Sequence, residues 1–316
     1  MPIQQTTYAA PRADLGEAIR ECNLSGEGFI ATQVLPIREV TKEAATMSVL
    51  TRENLKRKDT KHANGSTYNR VNMITEDKAY ACVGYGLEAV LTDKDRANYA
   101  SDLDAELELT DVINNNLLIE LEARVAALVF NTSTWTGAAL TTDYSGAPWD
   151  IVSSDAVSQI NVAKEKVRAN TGYKADTLII SEVQLCNLLA NDDIVSRFPG
   201  AAIITEDMLR AGLASIFGLK NLLVGGKVYD SAKEGQDFVG ADIWSDDYAM
   251  VCRLCQGSVT SGGLGRIPLW TPLTPDISTV EQYRDETVKG DVFRVEHNVD
   301  ELIFDPYFGH LLTVDA

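Results

Sequence analysis

One long periodic element limits the folds that are open to this chain. From residue 102 to residue 131, apolar residues recur mostly every three or four positions, with acids and asparagines between them. A helix over those residues would be about 45 Å long at about 1.5 Å per residue, whereas helices in globular domains average about a dozen residues. Thr92 and Asp95 have the spacing of a capping box ahead of it. The sequence therefore predicts a spine helix over residues 92–131, with Asn114–Asn116 as its weakest helix formers.

A polar hairpin is predicted before this helix. Asn64 and Gly65 form a strong signal for a tight hairpin turn, and about a dozen mostly polar residues lie on each side. A ribbon of that length reaches roughly 40 Å. Because an isolated two-stranded ribbon is marginally stable in water, we expect this hairpin to rest on another surface.

The middle of the chain predicts a sheet that is covered by helices. Residues 177–180 form a short apolar strand pattern, and the helix before it ends at Gly172, in the position that glycine favours. The predicted helix caps in this region are Ser153 or Ser154, Ser181 and Thr205. Farther on, Lys289–Gly290 predicts a second hairpin with arms over residues 279–288 and 292–299.

The chain is strongly acidic, but its charge is uneven. Its 316 residues include 46 acids and 28 Lys and Arg, for a net charge of −18. Residues 51–75 carry six basic and two acidic side chains, a net charge of +4, whereas residues 76–316 carry −20. This balance argues against a general phosphate-binding surface, which needs clustered cations. The basic segment is either a solvated charge run or an arm that docks on an acidic surface.

Composition and motifs exclude several classes of protein. No apolar stretch approaches the roughly 20 residues of a membrane-spanning helix, and the first residues do not resemble a signal peptide. Five cysteines, an odd number, favour a reducing compartment. Cys252 and Cys255 have redox or zinc spacing but fall on opposite faces of a predicted strand, and His62, His297 and His310 are scattered. We therefore predict no catalytic, cofactor-binding or metal-binding residues.

The order of these features resembles that of the major capsid proteins of tailed double-stranded DNA bacteriophages, which have the Hong Kong 97-type capsid fold. The resemblance covers essentially the whole chain from about Phe29 onward. The stretches that resemble this family are the strand at residues 85–88, which leads to the turn at 93–98 and the spine helix, then Trp149–Asp150, residues 175–180, residues 219–224 with Gly226, and Ile243–Trp244 before the strand at Tyr248.

The resemblance implies an α+β chain with an N-terminal arm, an extended β-hairpin loop, a peripheral domain with a long spine helix, and an axial α/β domain. The implied boundaries are 1–28 for the arm, 29–50 for a peripheral-domain strand, 51–79 for the extended loop, 80–172 for the peripheral domain with its spine helix at 92–131, 173–256 for the axial domain, 257–302 for the peripheral-domain return with the long β-hairpin, and 303–316 for a C-terminal segment near the axial domain.

The resemblance also implies a function. The chain would assemble with itself into pentamers and hexamers of an icosahedral shell, which encloses double-stranded DNA without sequence-specific binding and without a membrane. Its location would be the virion, after assembly in the host cytoplasm, with a portal protein and scaffolding or decoration proteins as further partners. Because some members crosslink through a lysine of the extended loop, Lys56, Lys58 and Lys61 are candidates by location. The alternatives are an encapsulin-like nanocompartment shell and an α/β enzyme or ligand-binding domain on residues 150–255.

We predict that the basic loop of one subunit clamps an acidic row on the spine helix of its neighbour. The predicted loop residues are Arg52, Lys56, Arg57, Lys58, Lys61, Asn64, Gly65 and Arg70. The predicted acidic row is Asp102, Asp104, Glu106, Glu108, Asp111, Glu120 and Glu122. One exposed ion pair contributes only about 0–1 kcal/mol, so the effect would come from repetition at every subunit contact. The alternative is that these charges only keep an exposed loop hydrated.

Overall fold

A computed structural model describes residues 10–11, 28–62, 64, 67–99, 105–197, 206–233, 235–255, 257 and 262–315. These described residues form seven α-helices and sixteen β-strands. The helices are α1 (Ala31–Val34), α2 (Asp93–Tyr99), α3 (Ala105–Val129), α4 (Ala156–Thr171), α5 (Glu182–Ala190), α6 (Asp192–Arg197) and α7 (Glu206–Phe217). The strands are β1 (Ala10–Pro11), β2 (Ile37–Val40), β3 (Ala44–Leu50), β4 (Thr75–Ala81), β5 (Val83–Thr92), β6 (Thr141–Asp143), β7 (Thr177–Ser181), β8 (Asn221–Gly225), β9 (Val228–Asp230), β10 (Gly240–Asp242), β11 (Tyr248–Cys252), β12 (Gly265–Trp270), β13 (Thr279–Asp285), β14 (Gly290–Val299), β15 (Leu302–Ile303) and β16 (Gly309–Thr313).

The longest helix, α3, lies where the sequence predicts a spine helix. It has 25 residues, which span about 38 Å at about 1.5 Å per residue, and Asn114–Asn116 lie inside it without interrupting it. The predicted capping box is confirmed at the start of α2. The backbone N–H of Asp95 donates to Oγ1 of Thr92 at 3.2 Å, and the Thr92 hydroxyl donates to the Asp95 carboxylate at 2.6 Å. Both α2 and α3 lie within the predicted range.

The spine helix packs on a sheet of long antiparallel strands. β14 lies between β5 and β13, pairing over ten residues with the first and over seven with the second. Phe293 and Val295 of β14 pack against Ile113 and Leu117 of α3, which gives the sheet a buried face. The predicted second hairpin is confirmed, although β13 ends at residue 285 and the turn occupies residues 286–289.

The second layer of the fold is an α/β lobe on a five-stranded sheet with the strand order β6–β16–β11–β7–β8. All five residues of β7 are buried. The helices α4, α5 and α7 cover this sheet and contribute Ile160, Leu185 and Leu213 to its core. The predicted cap Thr205 lies outside the described residues.

Capping side chains set the helix ends of this lobe. Ser181 caps α5 as predicted, because its Oγ accepts from the backbone N–H of Gln184 at 3.3 Å. The cap of α4 is Asp155, so the prediction of Ser153 or Ser154 is wrong. Ser154 is buried, and its Oγ accepts from the side chain of Asn191 at 3.2 Å.

Residues 141–172 pack with the five-stranded sheet, which differs from the predicted domain boundary at residue 173. β6 pairs with β16, and α4 buries Ile160, Ala163 and Val167 in the core of this sheet. The C-terminal segment supplies β16, which pairs with β11 over five residues. The α/β lobe therefore draws on two separate stretches of the chain, residues 141–252 and the C-terminal strand β16.

Two short ribbons project from these layers. β3 and β4 pair over seven residues at the root of the extended loop (residues 51–74), and β9 pairs with β10 over three residues in what we call the β9–β10 ribbon (residues 228–242). The described residues between 56 and 74 form no strand, so the prediction of a ribbon with a dozen residues on each side is wrong. The ladder forms in 44–50 and 75–81, where Met47, Val49 and Tyr80 are buried. The loop beyond it has no buried apolar face of its own to hold strands together.

Candidate inter-subunit surfaces

One asparagine closes the extended loop at its root. Nδ2 of Asn54 donates to the backbone carbonyl of Thr51 at 2.9 Å and to that of Ile74 at 2.7 Å. Oδ1 of Asn54 accepts from the backbone N–H of Ile74 at 2.9 Å. This side chain thereby joins the two sides of the loop just beyond the last strand pair.

Side chains also join the two sides of the loop nearer its tip. Nδ2 of Asn69 donates to the backbone carbonyl of Asp59 at 2.9 Å, and the rings of His62 and Tyr68 meet edge to face with their centroids 4.4 Å apart. Asn64 lies in a turn, as predicted, and Gly65 lies outside the described residues. The loop is therefore a closed arm that is held by side chains instead of by a backbone ladder.

Two of the six predicted loop cations contact residues of the same chain. The guanidinium carbon of Arg52 lies 3.4 Å from the centre of the Tyr307 ring, beside a cavity of about 420 Å³. Lys56 pairs with Glu53 at 2.9 Å, and this hydrogen bond and charge lower the pKa of the Glu53 carboxyl. The other four cations are exposed and form no ion pair among the residues that the structure describes: Arg57, Lys58, Lys61 and Arg70.

The loop also exposes apolar side chains, which the interpretation of this segment as a polar hairpin missed. Tyr68 is 79% exposed, Met73 70% and Val71 65%. Together with Phe238 of the β9–β10 ribbon, at 71%, they are the most exposed large apolar side chains in the described part of the chain. Val71 and Met73 are two positions apart, so they share a face where the chain is extended. Exposed apolar patches mark interaction sites, so the segment with Val71 and Met73 is a candidate contact surface.

The acidic row of the spine helix is only partly available for a neighbour. Glu108 and Glu120 are exposed and Asp111 is half-buried. Glu106 forms an ion pair with Arg96 of the same chain at 2.6 Å. Two further members of the row, Asp102 and Asp104, lie outside the described residues.

Glu122 is buried, so its assignment to the inter-subunit row is wrong. Its Oε1 accepts from the backbone N–H of Ile30 at 2.9 Å and from Nε1 of Trp244 at 2.6 Å, and its Oε2 accepts from the backbone N–H of Ala31 at 2.8 Å. Burial raises the pKa of Glu122, although these three donors act to lower it. The carboxylate ties the start of α1 and the indole of Trp244 to the spine helix.

Sequence spacing carries a signal for this buried acid. Glu122 lies four residues after Leu118 and three before Val125, within the buried stripe of α3. Gly225 leaves room for the indole of Trp244 beside Glu122, because a Cβ at Gly225 would lie 2.1 Å from Cδ1 of the indole. Val125 and Trp244 belong to the core cluster that joins the two layers of the fold. An acid inside an apolar helical stripe indicates an internal acceptor rather than a solvated row.

The described cysteines and histidines that could support catalysis or metal binding do not form a common site. Cys252 and Cys255 are free, buried thiols in two different core clusters, and burial raises the pKa of both. His297 and His310 are buried beside backbone carbonyls. Within the described ranges no three His, Cys, Asp or Glu side chains form a group that could hold a metal ion. In the same ranges, no helix is both long enough and apolar enough to cross a membrane.

A spine helix on a long-stranded sheet, a second sheet covered by helices, and an extended loop define the Hong Kong 97-type capsid fold, so the predicted α+β fold class is confirmed. The structure is similar to that of a phage-related protein from Bordetella bronchiseptica RB50, with a TM-score of 0.72 and 17% identity over 96% of this chain and 97% of that one. The capsid of cyanophage P-SCSP1u has a TM-score of 0.59, with 13% identity over 90% of this chain and 87% of that one.

The structure is also similar to that of an encapsulin. An encapsulin of Synechococcus elongatus PCC 7942 has a TM-score of 0.53, with 10% identity over 90% of this chain and 86% of that one. In sequence, the chain is 24% identical over 225 residues to the major capsid protein of Burkholderia phage BcepMu, which covers 68% of this chain and 69% of that protein. No family model matches the chain.

Proposed function

We propose that this chain is the major capsid protein of a tailed double-stranded DNA bacteriophage. Copies of it assemble into the pentamers and hexamers of an icosahedral shell around the packaged genome. The observation that carries this proposal is the extent of the likeness. The fold matches a phage-related protein over 96% of the chain, and 225 residues align with a phage major capsid protein. The role is structural rather than enzymatic.

The chain's partners follow from this role. Copies of the chain contact one another in the virion, after assembly in the host cytoplasm, and a portal protein and scaffolding or decoration proteins are further partners. The enclosed DNA is held without sequence-specific contacts. The net charge of −18 supports this, because cations are needed to displace counterions from phosphate.

The extended loop acts as a clamp between subunits. Four of its cations form no ion pair in the described part of the chain, and Tyr68, Val71 and Met73 remain largely exposed there. A loop without a strand ladder gains order from a partner surface. One surface of opposite charge on a neighbour is the predicted acidic row, of which Glu108 and Glu120 are exposed.

Charge reversal tests the clamp. The variant changes Arg57, Lys58, Lys61 and Arg70 to Glu together, leaving the internally used Arg52 and Lys56 in place. We expect normally folded subunits that fail to close shells, or shells that dissociate as salt rises. The matched control exchanges Arg and Lys at the same four positions, keeps the charge and should assemble. Wild-type shell yield and salt tolerance in the reversed variant would show that the loop charge is irrelevant to the contact.

A nanocompartment shell is the second candidate, which the likeness to an encapsulin favours. Particles purified from producing cells distinguish the two functions. Nuclease-protected double-stranded DNA inside the particles supports the capsid. Particles that enclose a cargo protein and no DNA would contradict the capsid function and support the nanocompartment shell.

A further inference from the structure

We propose that the extended loop of one copy docks on the β9–β10 ribbon of a neighbouring copy. The proposal rests on the shell function proposed above and names a partner surface for the loop other than the spine-helix row. Its basis is that two projecting segments of one chain expose complementary apolar and charged side chains.

The ribbon carries an exposed apolar patch. Phe238 lies close to Gly240 and Val228, since a Cβ built at Gly240 would be 3.2 Å from the Phe238 ring and 3.3 Å from Val228. Tyr229 and Val239 are also exposed. The ribbon has only three residue pairs, too few to bury this patch against a core of its own. Exposed aromatic side chains of this kind are typical anchors of protein contacts.

The ribbon is acidic where the loop is basic. Asp230, Asp237 and Asp242 are exposed, and Lys233 is the one cation among the described residues of the ribbon. Asp230 accepts from the backbone N–H groups of Ala232 and Val239, which lowers the pKa of its carboxyl and shapes the turn. The loop brings four cations that have no ion pair in the described chain. Opposite charge on the two surfaces favours their encounter and fixes which surfaces meet.

The spine helix matches the loop less well than the ribbon does. Its exposed side carries Glu108, Glu120 and a single large apolar side chain, Val112. It therefore offers charge without the apolar area that Tyr68 and its neighbours need. Tyr68 and Phe238 are both more than two-thirds exposed in one chain, so the loop and the ribbon do not cover each other. The partner is a second copy.

Photocrosslinking in assembled particles tests the contact directly. The full chain carries benzoylphenylalanine at Phe238 in one preparation, at Tyr68 in a second, and at Val112 as the control. We expect adducts between chains that join position 238 to residues 67–73, and reciprocal adducts from position 68 to residues 228–242. Adducts from position 68 to the spine helix, or no loop adduct from position 238, would overturn the proposal. The Val112 control should give no adduct with the loop.

A charge swap tests the same contact through assembly. Lys58→Glu with Lys61→Glu should lower shell yield about tenfold, because repeated weak pairs are lost at every contact. Adding Asp237→Lys and Asp242→Lys should restore the yield, whereas adding Glu108→Lys and Glu120→Lys should not. Rescue by the helix pair, or by neither pair, would contradict docking on the ribbon. A wild-type chain that forms no particles would instead refute the shell function.

Discussion

The buried carboxylate of Glu122 offers a well-defined perturbation of the fold. It accepts three hydrogen bonds through two oxygens, from Ile30, Ala31 and Trp244. In Glu122→Gln the side-chain amide has one acceptor oxygen, and its NH₂ group lies where the second carboxylate oxygen accepted a hydrogen bond. The favoured orientation keeps the oxygen toward Ile30 and Trp244, because it loses one hydrogen bond instead of two. The backbone N–H of Ala31 is then left without an acceptor.

The expected change in the free energy of unfolding follows from the single hydrogen bond that Glu122→Gln loses. A hydrogen bond to a charged group contributes about 1.5–3 kcal/mol, and an unpaired buried donor costs about 1–3 kcal/mol. Part of this loss is offset, because the substitution also removes a charge whose burial is unfavourable. We expect Glu122→Gln to lower the free energy of unfolding by about 2 kcal/mol. Glu122→Ala, which leaves all three donors unpaired, should lower it further.

Urea unfolding of the unassembled full-length subunit measures this effect. Tryptophan fluorescence is the suitable probe, since the indole of Trp244 donates to Glu122. Glu120→Gln is the matched control, because Glu120 is exposed on the same helix, and it should change stability by no more than about 0.5 kcal/mol. If Glu122→Gln is as stable as Glu120→Gln, the carboxylate does not hold the three elements together.

Three further predictions concern acid stability, the loop root and DNA. Burial lowers the pKa of His297 to about 4, whereas an unfolded His titrates near 6.5. Between these two pH values the unfolded chain therefore binds more protons than the native state. As pH falls through this range, the free energy of unfolding should fall by up to about 3 kcal/mol. His297→Asn, which keeps a donor toward the Ile277 carbonyl, should flatten this dependence in urea unfolding at several pH values, and an unchanged slope would exclude the histidine as its cause. Arg52→Ala removes a stack on Tyr307 worth about 0.5–2 kcal/mol, so limited proteolysis should cut the loop faster than in the Tyr307→Phe control; equal rates would show that the stack does not order the loop. Duplex DNA should show no gel shift with the subunit at about 0.1 M salt, where the Debye length is about 10 Å, and tight binding there would contradict an acidic, non-binding shell.

Features that depend on neighbouring residues were predictable from the sequence. The capping box of Thr92 and Asp95, the cap at Ser181 and the helix end at Gly172 all act within one helical turn. The apolar spacing of the spine helix is similarly local. The order of these elements along the chain was sufficient to indicate the fold class.

Features that depend on distant residues were not predictable. The pairing of β5 with β14 and the covering of the five-stranded sheet by α4 join segments far apart in sequence. The stack of Arg52 on Tyr307 and the donors around Glu122 are likewise long-range contacts. Charge alone grouped Glu122 with the exposed acids, although its position within the apolar stripe of α3 indicates burial.

Electron microscopy of the purified full-length chain measures most directly whether its copies close into a shell. The shell function predicts closed icosahedral particles in which pentamers and hexamers of the chain are resolved. A stable 34.5 kDa monomer that forms neither rings nor shells would contradict it.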